Sequence, residues 1–145
     1  MAATDIILAQ SVISNRSGDP TSLFKLAHQL HEDNNTTYAR QVLTVAEELH
    51  CDEHDALWFD IKHKLALYTY KDQDQPLADR LTESENRLKK LLKHSGLSQK
   101  MRQDCLGMRG GINKERWRSF GNRAHLEASV SFYAQGVECG GVALD

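Results

Sequence analysis

Seven histidines, at positions 28, 31, 50, 54, 63, 94 and 125, are the side chains best suited to acid–base or metal chemistry near neutral pH. The densest group is His50-Cys51-Asp52-Glu53-His54. Histidines four apart on one helix can share a metal ion while a glutamate between them acts as a base. Here the glutamate is out of that order and a helix break falls between the two histidines. The segment therefore reads as a polar turn between helices, and no metal is expected. Gly107-Met108-Arg109-Gly110-Gly111-Ile112-Asn113-Lys114 has the glycines of a phosphate loop but not their order. No Ser or Thr follows Lys114 and no strand precedes, so glycine at a helix–helix contact is the better account. Cys105 lies in a helical pattern with no evident base beside it, which suits a buried thiol rather than a nucleophile. No catalytic residue and no cofactor emerge, and the chain is not expected to be an enzyme.

Charge is unevenly distributed. Residues 1–86 carry seven Lys/Arg against fifteen Asp/Glu, and residues 87–118 carry ten against two, so a near-neutral total hides an acidic front and a basic middle. The basic stretch 87–118 also holds Trp117 and Phe120, and nucleic-acid grooves combine cations with stacking rings. The rings are few and sit at one end, so a solvated face or a surface for an acidic protein segment is preferred. A nucleic-acid-binding helical array using 87–118 is the alternative. Head-to-tail association of oppositely charged halves is a further option.

Helices must position these groups, because the hydrophobic periodicity is helical nearly throughout. The first helix is expected from Thr4 to near Ser14, followed by the turn cluster Asn15 to Pro20. Thr21 or Ser22 starts a helix to about Asp33, and Thr36 or Thr37 caps the next, to about His50. A helix from His54 to Tyr70 leads to the loop Lys71 to Pro76, whose proline suits the first turn of the following helix. That helix carries Leu77, Leu81, Leu88 and Leu92 on one stripe and ends near Ser95-Gly96. Ser98 caps a helix to about Phe120, and the last runs from Arg123 to Gly140-Gly141. Seven helices with short connections make an all-α antiparallel array. The three cysteines, Cys51, Cys105 and Cys139, are widely spaced and encode neither a zinc ribbon nor a disulfide framework. The run Ile6-Ile7-Leu8-Ala9 is too short for a signal segment and no stretch approaches a membrane span, so a cytoplasmic location is expected.

Two helix starts repeat. Leu23-Phe24-Lys25-Leu26-Ala27-His28-Gln29-Leu30 matches Trp58-Phe59-Asp60-Ile61-Lys62-His63-Lys64-Leu65 at a separation of 35, with Phe, His and the last Leu identical. Tetratricopeptide units recur at about 34 residues. The first unit resembles a tetratricopeptide repeat (TPR). Leu23, Leu26, Ala27 and Leu30 occupy the family's packing places on one helix, and Ala39, Leu43 and Ala46 those on the next; Cys51 replaces the closing proline. Further on, Ser129, Tyr133 and Gly136 take the small, aromatic and small places of a family second helix. Gly110-Gly111-Ile112-x-Lys114-x-Arg116-Trp117, followed by Leu126-Glu127-x-Ser129-x-x-Phe132-Tyr133, is similar to the TPR-containing "TRAFs-binding domain" of bacterial multidomain proteins.

The resemblance implies a single helical domain over 1–145, built as a short TPR-like α-solenoid. Its parts are an N-terminal helix and turn (1–19), a first repeat (20–53), a second hairpin (54–96) and a third (97–139). It implies protein or peptide recognition, as the adaptor or sensor part of a larger bacterial protein. In such arrays the first helix of each hairpin lines the groove, which gives Phe24, His28, His31, Phe59 and His63 as the partner-binding residues. Each pair sets an apolar anchor one turn before a hydrogen-bonding ring. The competing account is that the phenylalanines fill space between stacked hairpins. The chain stops at Gly140 to Asp145 without a polar capping helix, which suggests a truncated array or closure by a second copy across the C-terminal helical face.

Overall fold

The computed structural model describes residues 3–50 and 52–139. Among these it forms seven α-helices: α1 (Ala3–Asn15), α2 (Pro20–Glu32), α3 (Thr36–Leu49), α4 (Ala56–Lys71), α5 (Leu77–Leu92), α6 (Gln99–Phe120) and α7 (Arg123–Cys139). Consecutive pairs α2/α3, α4/α5 and α6/α7 pack as hairpins, and α1 lies mainly against α3. Hairpins stack because α4 packs on α3 and touches α2, while α6 packs on α5 and touches α4. The expected all-α array of stacked hairpins is the observed fold.

The starts of the helices differ from expectation in instructive ways. Asp19, not Thr21 or Ser22, caps α2: its carboxylate accepts from the Ser22 amide at 3.1 Å, and Pro20 takes the first turn, where its missing N–H is harmless. Asn35 stands at the cap of α3, and the Thr37 hydroxyl goes instead to the buried Asp72. Asp55, rather than His54, caps α4, accepting from the Trp58 amide at 2.7 Å. An ionised carboxylate outcompetes a neutral hydroxyl at the positive end of a helix. Cys51 and the Gly140-Gly141 stop lie outside the described residues.

Inside the first hairpin the three alanines set the approach. Ala27, Ala39 and Ala46 are fully buried, with Leu23, Leu30 and Leu43 closed around them. Leu26, expected in the same core, is only partly buried and packs on its edge. Helix α4 is shared between two cores. Its Ile61, Leu65 and Tyr68 join the first hairpin's cluster, while Ala66 joins a second cluster with Leu81, Leu88, Cys105 and Ile112. This explains why α4 is apolar on two sides rather than one.

The third hairpin is held by close approach. A Cβ at Gly110 would stand 2.9 Å from the Tyr133 ring, and one at Gly136 3.5 Å from the Gln103 carbonyl oxygen. Ser129 is buried and donates its hydroxyl to the Gly110 carbonyl at 2.8 Å. Gly110 therefore serves helix contact, and tertiary packing overrides its poor helix propensity, whereas a Cβ at Gly107 would meet nothing within 4 Å.

Candidate functional site

The five residues expected to line a groove fall in unlike surroundings. On α2, Phe24 is half-buried against the first core, and His28 is open, with 56% of its side chain exposed and Nε2 3.8 Å from Glu32. His31, one turn on, is partly enclosed. Its ring lies 4.8 Å from that of Tyr68 on α4, and Nδ1 makes a 2.9 Å hydrogen bond with the Thr36 hydroxyl. Burial lowers its pKa. On α4, Phe59 is half-buried against the second core and meets the rings of Trp58, His54 and His94. His63 is half-buried, and its Nε2 is enclosed with no partner among the described residues. The matched octets thus place one histidine in solvent and the other half-buried, within electrostatic reach of Asp104 on α6. His31 comes into contact with α4 through the Tyr68 ring.

Burial also lowers the pKa of His63. A folded histidine that resists its proton while the unfolded one accepts it near pH 6.5 adds stability above that pH and loses it as pH falls. We expect the melting temperature to decline between pH 7.5 and 5.5, with a slope of at most about 1.4 kcal/mol per pH unit for each such histidine. His63→Leu should flatten that decline without abolishing it, because His31 shares it. An unchanged slope in thermal scans of the variant would contradict the assignment.

The remaining chemically notable groups are engaged structurally. His50 Nε2 lies 2.8 Å from Asp55 Oδ1, whereas the His54 ring turns toward Trp58 and His94 at 4.7 and 4.9 Å, so the two histidines serve different neighbours. Cys105 is fully buried, and burial pushes its thiol up to about 12. Within the basic stretch, Arg109 and Arg116 both pair with Glu85, Arg87 pairs with Glu47, and Arg102 donates to the Leu92 and His94 carbonyls at 2.9 and 3.0 Å. The acidic front and basic middle are therefore partly neutralised against each other across helix contacts. Lys89, Lys93, Lys100 and Lys114 remain exposed.

Sequence reasoning missed a cleft of about 770 Å³ beside α5. Helices α3 and α5 do not pack together among the described residues, and α4 floors the gap between them. Glu47 of α3 reaches across it, accepting from Lys62 at 2.7 Å and from Arg87 at 3.0 Å. Burial alone would raise the Glu47 carboxyl, but these two cations hold it below the usual range. Lys62 Nζ sits 5.3 Å over the Trp58 ring, and His94 meets that ring edge-on at 5.0 Å. The signal for this cleft is a polar stripe at helical spacing along α5 and just past its end: Asp79, Glu83, Arg87, Lys90, His94. Arg87, Lys90 and His94 fall in the basic stretch whose preferred reading is a solvated face or a surface for an acidic segment, and the rest of the cleft comes from Glu47, Trp58 and Lys62 on earlier helices.

An exposed apolar stripe, Val130, Tyr133 and Val137, runs along α7, with Phe120 nearby in sequence at the end of α6. No described helix is long and apolar enough to cross a membrane, and no described group of three or more His, Cys, Asp or Glu residues could hold a metal ion. No curated protein and no solved structure matches the chain. Residues 38–142, from the first turn of α3 onward, match the Tetratricopeptide Repeats-Sensor family. With paired antiparallel helices, small residues at each contact and a match over most of its length, this TPR-type sensor and interaction module belongs to the Tetratricopeptide Repeats-Sensor family.

Proposed function

We propose that the chain recognises a protein or peptide along the face formed by α2 and α4, as the adaptor or sensor part of a larger bacterial protein acting in the cytoplasm. The observation that carries this reading is the pair of Phe–His steps on adjacent first helices. Phe24, His31, Phe59 and His63 are each partly exposed, and His28 is open to solvent. Apolar rings beside hydrogen-bonding rings suit an extended segment, which needs both an anchor and partners for its backbone. The unit boundaries 1–19, 20–53, 54–96 and 97–139 belong to the same reading, as does association of copies through the α7 stripe. No catalytic role is assigned. The nucleic-acid alternative is weakened by the internal pairing of Arg87, Arg109 and Arg116.

The test is capture of partners from the source cell on the immobilised intact chain, followed by affinity measurement with the purified partner. His28→Ala should keep the melting temperature and weaken the partner about tenfold, the scale of a lost hydrogen bond of about 1–2 kcal/mol. Capture of RNA or DNA that is released as salt rises, or a partner indifferent to His28, would refute the reading.

A further inference from the structure

The cleft between α3 and α5 is separate from the α2/α4 face and has features of its own. It runs along α5 from Ala78 and just past its end to His94, about 24 Å at roughly 1.5 Å per residue. Its α5 wall changes sign along its length: Asp79 and Glu83 at one end, Lys90 and His94 at the other. Such an order also complements the dipole of α5, so the charges alone would not define a site. The walls do more. Trp58 supplies an aromatic surface, with Leu91 beside it, near the basic end. Midway stand Thr82 and Asn86, whose side chains make no hydrogen bond among the described residues. Asp79 and Lys90 have no ion-pair partner there either, whereas Glu47 Oε2 is shared by Lys62 and Arg87. An asparagine amide can donate and accept at once, which matches one peptide group of an extended backbone.

We infer that this cleft is a second recognition site, which takes an extended peptide of about seven residues, the number that spans 24 Å at about 3.4 Å each. The peptide carries a basic side chain toward Asp79 and Glu83 and an acidic one toward Lys90. An apolar or aromatic side chain sits beside Trp58. Asn86 holds the backbone between them. A polyanion fits poorly, because two carboxylates guard one end and Glu47 occupies two of the cations.

The decisive experiment selects displayed random heptapeptides on the intact chain and, separately, on a Glu83→Lys, Lys90→Glu double variant whose melting curve shows that it is folded. The expected peptides place opposite charges three to five positions apart, and the double variant should enrich the reversed order. A synthetic copy of the best peptide should bind about tenfold more weakly to Trp58→Ala by fluorescence anisotropy. His28→Ala should still enrich peptides with that charge order, whatever it loses at the α2/α4 face, so this inference and the α2/α4 reading can fail independently. No enriched charge pattern, the same order on the double variant, loss of the pattern in His28→Ala, or displacement of the peptide by a ten-nucleotide single-stranded RNA would each overturn it.

Discussion

Replacing Glu85 with alanine should destabilise the fold by about 3–5 kcal/mol, the usual consequence of removing one partner from a buried ion cluster. Glu85 is 7% exposed on α5 and receives three groups from α6. Asn113 donates to Oε2 at 2.9 Å, Arg109 lies 3.5 Å from the same oxygen, and Arg116 bonds Oε1. Burial would raise the carboxyl, but the bonds from Arg116 and Asn113 and the two guanidinium charges hold it below the ordinary value of 4.5. Its contribution is thus present above that value and disappears as pH falls through the lower folded one. For a chain of this length the loss corresponds to a melting temperature lower by about 6–20 °C. The effect comes mainly from stranding two half-buried arginines. Glu85→Leu with Arg109→Met and Arg116→Met should therefore be markedly more stable than the single variant. If Glu85→Ala melts within a degree or two of the unmodified chain, the cluster does not hold α5 to α6.

That cluster also shows what the sequence could and could not convey. The imbalance between residues 1–86 and 87–118 was visible by counting, and it suggested an external partner or a second copy. In the fold, much of it is internal: Glu47 faces Lys62 and Arg87, and Glu85 faces Arg109 and Arg116. Sequence separations of 15 to 40 residues divide these partners, and only the stacking of hairpins brings them together. Local signals fared better. Helical spacing, Gly and Pro punctuation and the alanine places gave the seven helices and their pairing, because those rules act within a few residues of the chain. Cap identities were harder, since Thr36 and Thr37 are good cap residues by type and the buried Asp72 draws the Thr37 hydroxyl away.

The repeated octet marks the same boundary for the candidate site. Its Phe, His and Leu places are legible as a repeat, and both closing leucines, Leu30 and Leu65, are indeed core residues. The octet did not reveal that His28 would be open while His63 would be half-buried with its Nε2 enclosed. Exposure on the first helix of a unit depends on what the next unit lays over it, which is a property of stacking and not of the repeated residues. The α5 cleft is the sharper case. Its residues were all in view as charges, and only the failure of α3 and α5 to pack turns them into a concave surface.

Ala27→Leu should overpack the first hairpin and lower stability by about 1–3 kcal/mol. Ala27 is fully enclosed, and the neighbouring places Leu30, Ala39, Leu43 and Ala46 are also at 0% exposure, so no side chain there can swing into solvent to make room. Gly110→Ala is the informative contrast. Its new Cβ would meet Tyr133 at 2.9 Å, a tighter clash on paper, yet Tyr133 is 44% exposed and can rotate outward. The larger intrusion into the rigid core should therefore be the more damaging, although the glycine contact is the shorter. Urea titrations of both variants at neutral pH would rank them directly. Because residues 38–142 carry the family match, α2 lies outside it, and Ala27→Leu tests whether the first hairpin is packed as a repeat on its own evidence. An unchanged midpoint for Ala27→Leu would mean that α2 does not approach α3 through this alanine, and the register of the first hairpin would have to be redrawn.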